Sequence, residues 1–327
     1  MRKIAKSTAL AILAAALGTA ASAQSYPARQ VTMIVPFPAG GPSDVVARIM
    51  ADGMSRYLGQ TIIIENVSGA GGTVGTARAA GASPDGYTIL GAGMGSHVAA
   101  PALYPNLKYD STKAFDPIGL TSHAPVAIVA RKDFPAKDLG EFIAYVRQNG
   151  GNIKQAHGGT GAASHMACLL FTSQLGLKPT AVAYRGTGPA LNDLIGGHVD
   201  FFCDQVVSVA EAAKSGVIKA YAVSSPMPLD TLPGVPTAKS AGAPDYTMSI
   251  WSAIFAPRGT PKEAVDKLAA ALDKTLEDAD VAKRLATLGG TIPPKNERGP
   301  DYLGKLLKAE IARWEPVLKD AAATAAK

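Results

Sequence analysis

The chain has 327 residues, with 32 lysines and arginines against 26 aspartates and glutamates, for a formal net charge of +6. Basic residues are interspersed with acidic ones and only 6% of residues are aromatic, which argues against a nucleic-acid-binding protein. A chain this long can bury a substantial core, and chains of this size usually divide into two domains.

Arg2, Lys3 and Lys6 open the chain, an uncharged apolar run covers residues 7–16, and Ala21-Ser22-Ala23 supplies a small-x-small cleavage pattern before Gln24. The run is too short for a spanning helix of about 20 residues. No cysteine lies near the cleavage point to carry a lipid anchor. Residues 1–23 are therefore expected to be a cleavable export signal, with the mature protein soluble in the periplasm. Removing the three leader charges from +6 leaves +3, a mild bias that suits an anionic solute.

Val31-Thr32-Met33-Ile34-Val35 reads as a buried strand, followed by a Pro/Gly loop over residues 36–43. An amphipathic helix comes next, with Val46, Ile49, Met50, Met54 and Leu58 at helical spacing and Gly59 as its stop. Residues 61–64 and 87–90 read as strands on either side of the loop Ser68-Gly69-Ala70-Gly71-Gly72. Further on, 126–130 and 217–223 read as strands and 142–147 as helix. A long helical region, 262–288, and a last helix, 302–320, close the chain. Strands separated by helices predict an α/β fold of parallel βαβ units, with sheets covered on both faces.

Three loops could carry chemistry. Phe37-Pro38-Ala39-Gly40-Gly41-Pro42-Ser43-Asp44 joins a buried strand to a helix start. Its glycines allow a ligand close to the main chain, and the free N–H groups of the first helical turn suit a carboxylate. Taken alone, the segment reads better as an ordinary tight strand-to-helix turn with Ser43 as a simple cap. His157-Gly158-Gly159-Thr160-Gly161-Ala162-Ala163-Ser164-His165 repeats the arrangement in the other half of the chain, with the hydroxyls of Thr160 and Ser164. It lacks the Gly-Lys-Ser/Thr of a nucleotide loop. Together the two loops are expected to act as jaws around one anion. In Tyr184-Arg185-Gly186-Thr187, Arg185 could pair with a carboxylate or stand as a solvated surface charge.

The five histidines form neither a catalytic nor a metal set: there is no H-E-x-x-H and no G-x-S-x-G. No acid, base or nucleophile is identifiable, so the chain reads as a binding protein without cofactor or metal, not an enzyme. Cys168 and Cys203 are an even pair behind an export signal, which favours a disulfide over two inert thiols. Closing a loop of roughly 35 residues is worth on the order of 4 kcal/mol in the chain-entropy model.

In their order these motifs resemble a known family. The stretches are Tyr26-Pro27-Ala28-Arg29, Ile34-Val35-Pro36-Phe37-Pro38-Ala39-Gly40-Gly41-Pro42-Ser43-Asp44, Asn66-Val67-Ser68-Gly69-Ala70-Gly71-Gly72 and Ala82-Ser83-Pro84-Asp85-Gly86-Tyr87-Thr88. Later come Gly159-Thr160-Gly161 with Ser164-His165, Tyr184-Arg185-Gly186-Thr187, Leu232-Pro233-Gly234-Val235-Pro236-Thr237 and Ala256-Pro257-Arg258-Gly259-Thr260-Pro261. The whole mature chain is similar to the substrate-binding proteins of tripartite tricarboxylate transporters, the family first known as Bordetella uptake gene products. The resemblance implies a type II-like periplasmic-binding fold: two α/β domains joined by hinge strands around a ligand cleft. It divides the chain into 24–125 with 224–327 as one domain and 126–223 as the other. It implies a monomer that pinches a carboxylate, often a dicarboxylate, between residues 37–44 and 160–165, with Ser96, His97 and Asp204 in the wall, and delivers it to membrane transporter subunits. Lys239-Ser240 departs from the family pattern, away from both loops. A sensor presenting the solute to a signalling receptor, or a periplasmic enzyme on the same fold, are the rival readings.

Overall fold

The computed structural model describes residues 25–325; the expected export signal lies outside them. The chain opens with β1 (Val31–Val35), whose side chains alternate between two cores. Val31, Met33 and Val35 enter one cluster and Ile34 the other. Next comes α1 (Pro42–Leu58), begun by Pro42 at its first turn and ended by Gly59 in the left-handed conformation. Then follow β2 (Ile62–Asn66), α2 (Thr73–Ala80) and β3 (Thr88–Gly93). A π-helical turn, Gly95–Ala99, runs on into α3 (Ala100–Leu103).

The long strand β4 (Phe115–Arg131) leads into the second half: α4 (Leu139–Asn149), β5 (Lys154–His157), α5 (Ala163–Gln174), β6 (Thr180–Ala183), α6 (Thr187–Ile195), β7 (Phe201–Gln205), α7 (Val206–Lys214) and β8 (Ile218–Val223). The chain returns through β9 (Ser249–Pro257), α8 (Lys262–Glu277), α9 (Ala279–Thr287) and α10 (Pro300–Ala325). The strand order is β2-β1-β3-β9-β4-β7-β5-β6, with β8 paired on β4.

The pairing contains the expected parallel βαβ units together with antiparallel strands. β1 is parallel to β2 and β3, and β5 to β6 and β7, but β4 and β9 run antiparallel to every neighbour. The cause is the crossing. β4 pairs with β9 over residues 115–125 and then with β7 and β8 over residues 126–131, so one strand belongs to both α/β domains. Only residues 126–130 of it were expected, because Pro117, Gly119 and Pro125 punctuate its first half like turn residues. Those prolines and the glycine sit where the register with β9 shifts or where the strand changes partners. The expected helix 262–288 is likewise two helices, broken at Asp278, whose carboxylate accepts the Asp280 N–H at 2.9 Å and caps α9.

α10 packs against β4, the π turn and α5, burying Leu303, Leu307, Trp314 and Leu318 in a core that runs through both domains. Cys168 on α5 and Cys203 on β7 are joined, with Cα atoms 5.1 Å apart and both side chains fully buried. No helix among the described residues is long and apolar enough to cross a membrane.

Candidate anion-binding cleft

Between the domains lies a cleft onto which four helix starts open. Gly41, Pro42 and Ser43 begin α1; Ala162, Ala163 and Ser164 begin α5; Gly186 and Thr187 begin α6; Gln205 precedes α7. The N–H groups of a first helical turn have no acceptor within the helix, and they carry the positive end of its dipole. The floor is built by Gly93, Met94 and Gly95 at the end of β3 and by Ile250, Trp251 and Ser252 of β9. Among the described residues no lysine or arginine lines this space, and Asp204 is its one ionisable side chain.

The first loop is braced from within. The Asp44 carboxylate accepts the Gly40 N–H at 2.8 Å, Arg48 Nε at 2.9 Å and Asn66 Nδ2 at 2.8 Å, and Asn66 also donates to the Phe37 carbonyl at 3.1 Å. Burial works against its charge, but the hydrogen bonds from Arg48, Gly40 and Asn66 hold the Asp44 carboxyl below the usual range. The Gly41 N–H donates to the Pro38 carbonyl at 3.3 Å. Both glycine N–H groups are therefore engaged inside the loop, and the donors left facing the cleft are those of the first turn of α1.

The second loop follows the same plan. Ser164 Oγ accepts the Gly158 N–H at 2.9 Å, His157 Nδ1 accepts the Gly159 N–H at 3.2 Å and His165 Nδ1 accepts the Gly161 N–H at 3.3 Å. The two imidazoles pack on each other with centroids 4.4 Å apart. Burial lowers the pKa of both, that of His165 to about 4 with His157 beside it, so both are neutral at pH 7 and able to accept. These histidines hold the loop, and the first turn of α5 is left to face the cleft.

Contacts between the domains close the rim. The Tyr104 hydroxyl donates to the Thr160 carbonyl at 2.8 Å, Gly186 packs on the Pro38 ring, and Gly71 lies so close under the Thr160 carbonyl that no side chain would fit there. A family model described as the tripartite tricarboxylate transporter family receptor matches residues 46–322. The chain belongs to this receptor family. A protein of Agrobacterium vitis from the TAR-I ttuE-ttuC' intergenic region is 42% identical, over 96% of this chain and 90% of its own length. Among solved structures, MatC of Rhodopseudomonas palustris with bound malate is 45% identical at a TM-score of 0.86, covering 90% of this chain and 100% of that one. The periplasmic binding protein BugD is 42% identical at a TM-score of 0.87, covering 91% and 99%.

In this receptor Phe37, Gly41, Ser43, Ser164 and Asp204 line the cleft itself. Gly159, Thr160 and Arg185 line its outer mouth, with Tyr104 and Gly71. Other expected residues lie elsewhere. Ala39 and Gly40 are exposed on the outside of the first loop, Asp44 points back into it, and Gly161 packs beside Tyr104 and Gly95. Ser96 and His97, expected in the wall, are fully buried and do not line the cleft. Ser96 Oγ donates to the Gly93 carbonyl, and the His97 ring is stacked on Phe255 with centroids 4.1 Å apart, beside Phe115 and Tyr109. An imidazole among aromatic rings gains packing by turning inward, and burial lowers its pKa to about 3, so it is neutral there.

The floor residues Trp251 and Ser252 were missed, as were Thr187 and Gln205. Gln205 had a local signal, since the apolar run Phe201-Phe202-Cys203 ends at Asp204-Gln205 just before a helical stretch. Trp251 had none; β9 comes to the cleft only through its pairing with β3 and β4, both distant in the chain.

Proposed function

We propose that this receptor is exported to the periplasm, captures a small dicarboxylate in the cleft and delivers it to the membrane subunits of a tripartite tricarboxylate transporter. The observation that carries the reading is the convergence of four helix N-termini on one cleft with no cationic side chain in it. Such donors bind an anion by direction as well as charge, because each N–H has a fixed aim. Malate bound to MatC supports the same class of ligand, and the family's description supports the same class of partner.

The test is a thermal-shift screen of the purified mature protein against mono-, di- and tricarboxylates, with neutral sugars and amino acids as comparison. A ligand that binds only the folded state adds about 2.7 kcal/mol at a hundred times its Kd, enough to raise Tm by several degrees in a chain of this size. A dicarboxylate should give the largest shift. Stabilisation by a neutral solute alone would overturn the reading. Deleting the gene should abolish high-affinity uptake of the same acid by the host, and unchanged uptake would remove the transporter from the proposal.

A further inference from the structure

Asp204 is the one ionisable group among the described residues that line the cleft, and it is 1% exposed. Its Oδ1 accepts the Gln205 N–H at 2.8 Å and the Thr187 hydroxyl lies near the carboxyl, while its Oδ2 makes no hydrogen bond. Neutralisation by a neighbour is not available. On β5 and α5, His157 and His165 are neutral and occupied in the loop. On α6, Asp193 accepts the Tyr184 hydroxyl at 2.6 Å. On α7, Glu211 and Lys214 pair with each other, and on β4, Arg131 is held by Asp133 and Asp200. Arg185 stands at the outer mouth.

A cleft built to attract an anion thus has a carboxyl in its own wall. Two ionised carboxylates in a closed space with no cation between them repel strongly. One proton shared between them removes the repulsion and turns it into a short, charge-assisted O–H···O hydrogen bond. We infer that this receptor takes up a proton together with its dicarboxylate, the proton lying between Asp204 Oδ2 and a carboxylate of the ligand. The inference rests on the dicarboxylate reading above. The charges balance: ionised Asp204, a proton from solvent and a dianion give a neutral Asp204 acid hydrogen-bonded to the bound dianion, with no covalent bond made or broken.

Burial already pushes the Asp204 carboxyl up to about 7, against a smaller lowering by the Thr187 hydroxyl and the Gln205 N–H. Near neutral pH the free protein is therefore divided between the two forms, and a bound anion raises the value further. Binding that raises a pKa is strongest below the free-protein value and weakens as pH climbs above it. Affinity should therefore be level below pH 7 and fall above it, approaching roughly tenfold per unit. The ligand contributes nothing to this slope, since ordinary carboxyl groups are ionised throughout that range.

The experiment is calorimetric titration with succinate, malate and adipate from pH 6 to 8.5, repeated at pH 8 in two buffers with different heats of ionisation. The expected result is close to one proton taken up per ligand at pH 8 and a falling affinity above pH 7. Asp204→Asn keeps the shape and offers an amide donor that does not titrate, so its affinity should be independent of pH. If that variant fails to fold, the two-buffer comparison on the native protein decides by itself. Tight binding with no proton uptake and a flat profile would overturn this inference while leaving the dicarboxylate reading standing. Affinity that rises with pH would also overturn it, since Asp204 would then act as an ionised acceptor. Failure of all three acids to bind at any pH would overturn both.

Discussion

Gly41 caps α1 at φ −77° and ψ 169°, angles open to any residue, and it lines the cleft. Aspartate is a good N-cap, and its carboxylate would accept from the N–H groups of Ser43 and Asp44. Those are the donors expected to hold the ligand, so Gly41→Asp places a tethered anion where a free one should bind. Folding stability should change by only a few tenths of a kcal/mol. Affinity should fall about a hundredfold, since two charge-assisted bonds at about 1.5 kcal/mol each are taken away. Gly41→Ala, which adds neither charge nor an acceptor, should bind within a few-fold of the native protein. Calorimetric titration of both variants checks this, and native-like binding by a folded Gly41→Asp would show that α1 is not an anion site. Gly-Gly-Pro-Ser was readable as a strand-to-helix junction, but not that its glycine N–H groups are occupied. That depends on Asp44 turning back and on Asn66 arriving from β2.

Cys168 and Cys203 show how one covalent link bears on whole elements. They tie α5 to β7 across a separation of 35 residues, next to two of the helix starts at the cleft. Replacing both by alanine should cost on the order of 4 kcal/mol. That corresponds to a drop in Tm of roughly six degrees for a chain this long. Calorimetry of the variant checks the drop, and mass spectrometry of unreduced protein from the periplasm checks the link; two freely alkylated thiols would sink it. The parallel elements β1, α1 and β2 were legible because their apolar residues recur at the strand or helix period. β4 was legible only in its second half, since its prolines serve a crossing that no local pattern describes.

At the scale of the whole molecule, Tyr104 on Thr160, Gly186 on Pro38 and Gly71 under the Thr160 carbonyl bridge the domains beside the cleft, and these contacts are expected to part when a ligand enters. The strand β4, which pairs in both domains, is where that motion has to be absorbed. Small-angle scattering should therefore give a larger radius of gyration without ligand than at saturation, and equal values would mean that the cleft does not open. Tyr104→Phe removes one hydrogen bond made in the closed state, worth about 1 kcal/mol. It should weaken binding roughly fivefold, mainly through faster release. Stopped-flow dissociation reads this directly, and an unchanged off-rate would exclude Tyr104 as part of the latch. The α/β class and the two strand-to-helix loops with their glycines and hydroxyls were written locally in the chain, because propensity and periodicity act over a few residues. The antiparallel pairing of β4 and β9, the inward turn of His97, the floor at Trp251 and the lack of lysine and arginine among the described residues that line the cleft around Asp204 were decided by the assembled fold. Each depends on which distant segments come to lie beside one another, and burial and charge pairing are set only there.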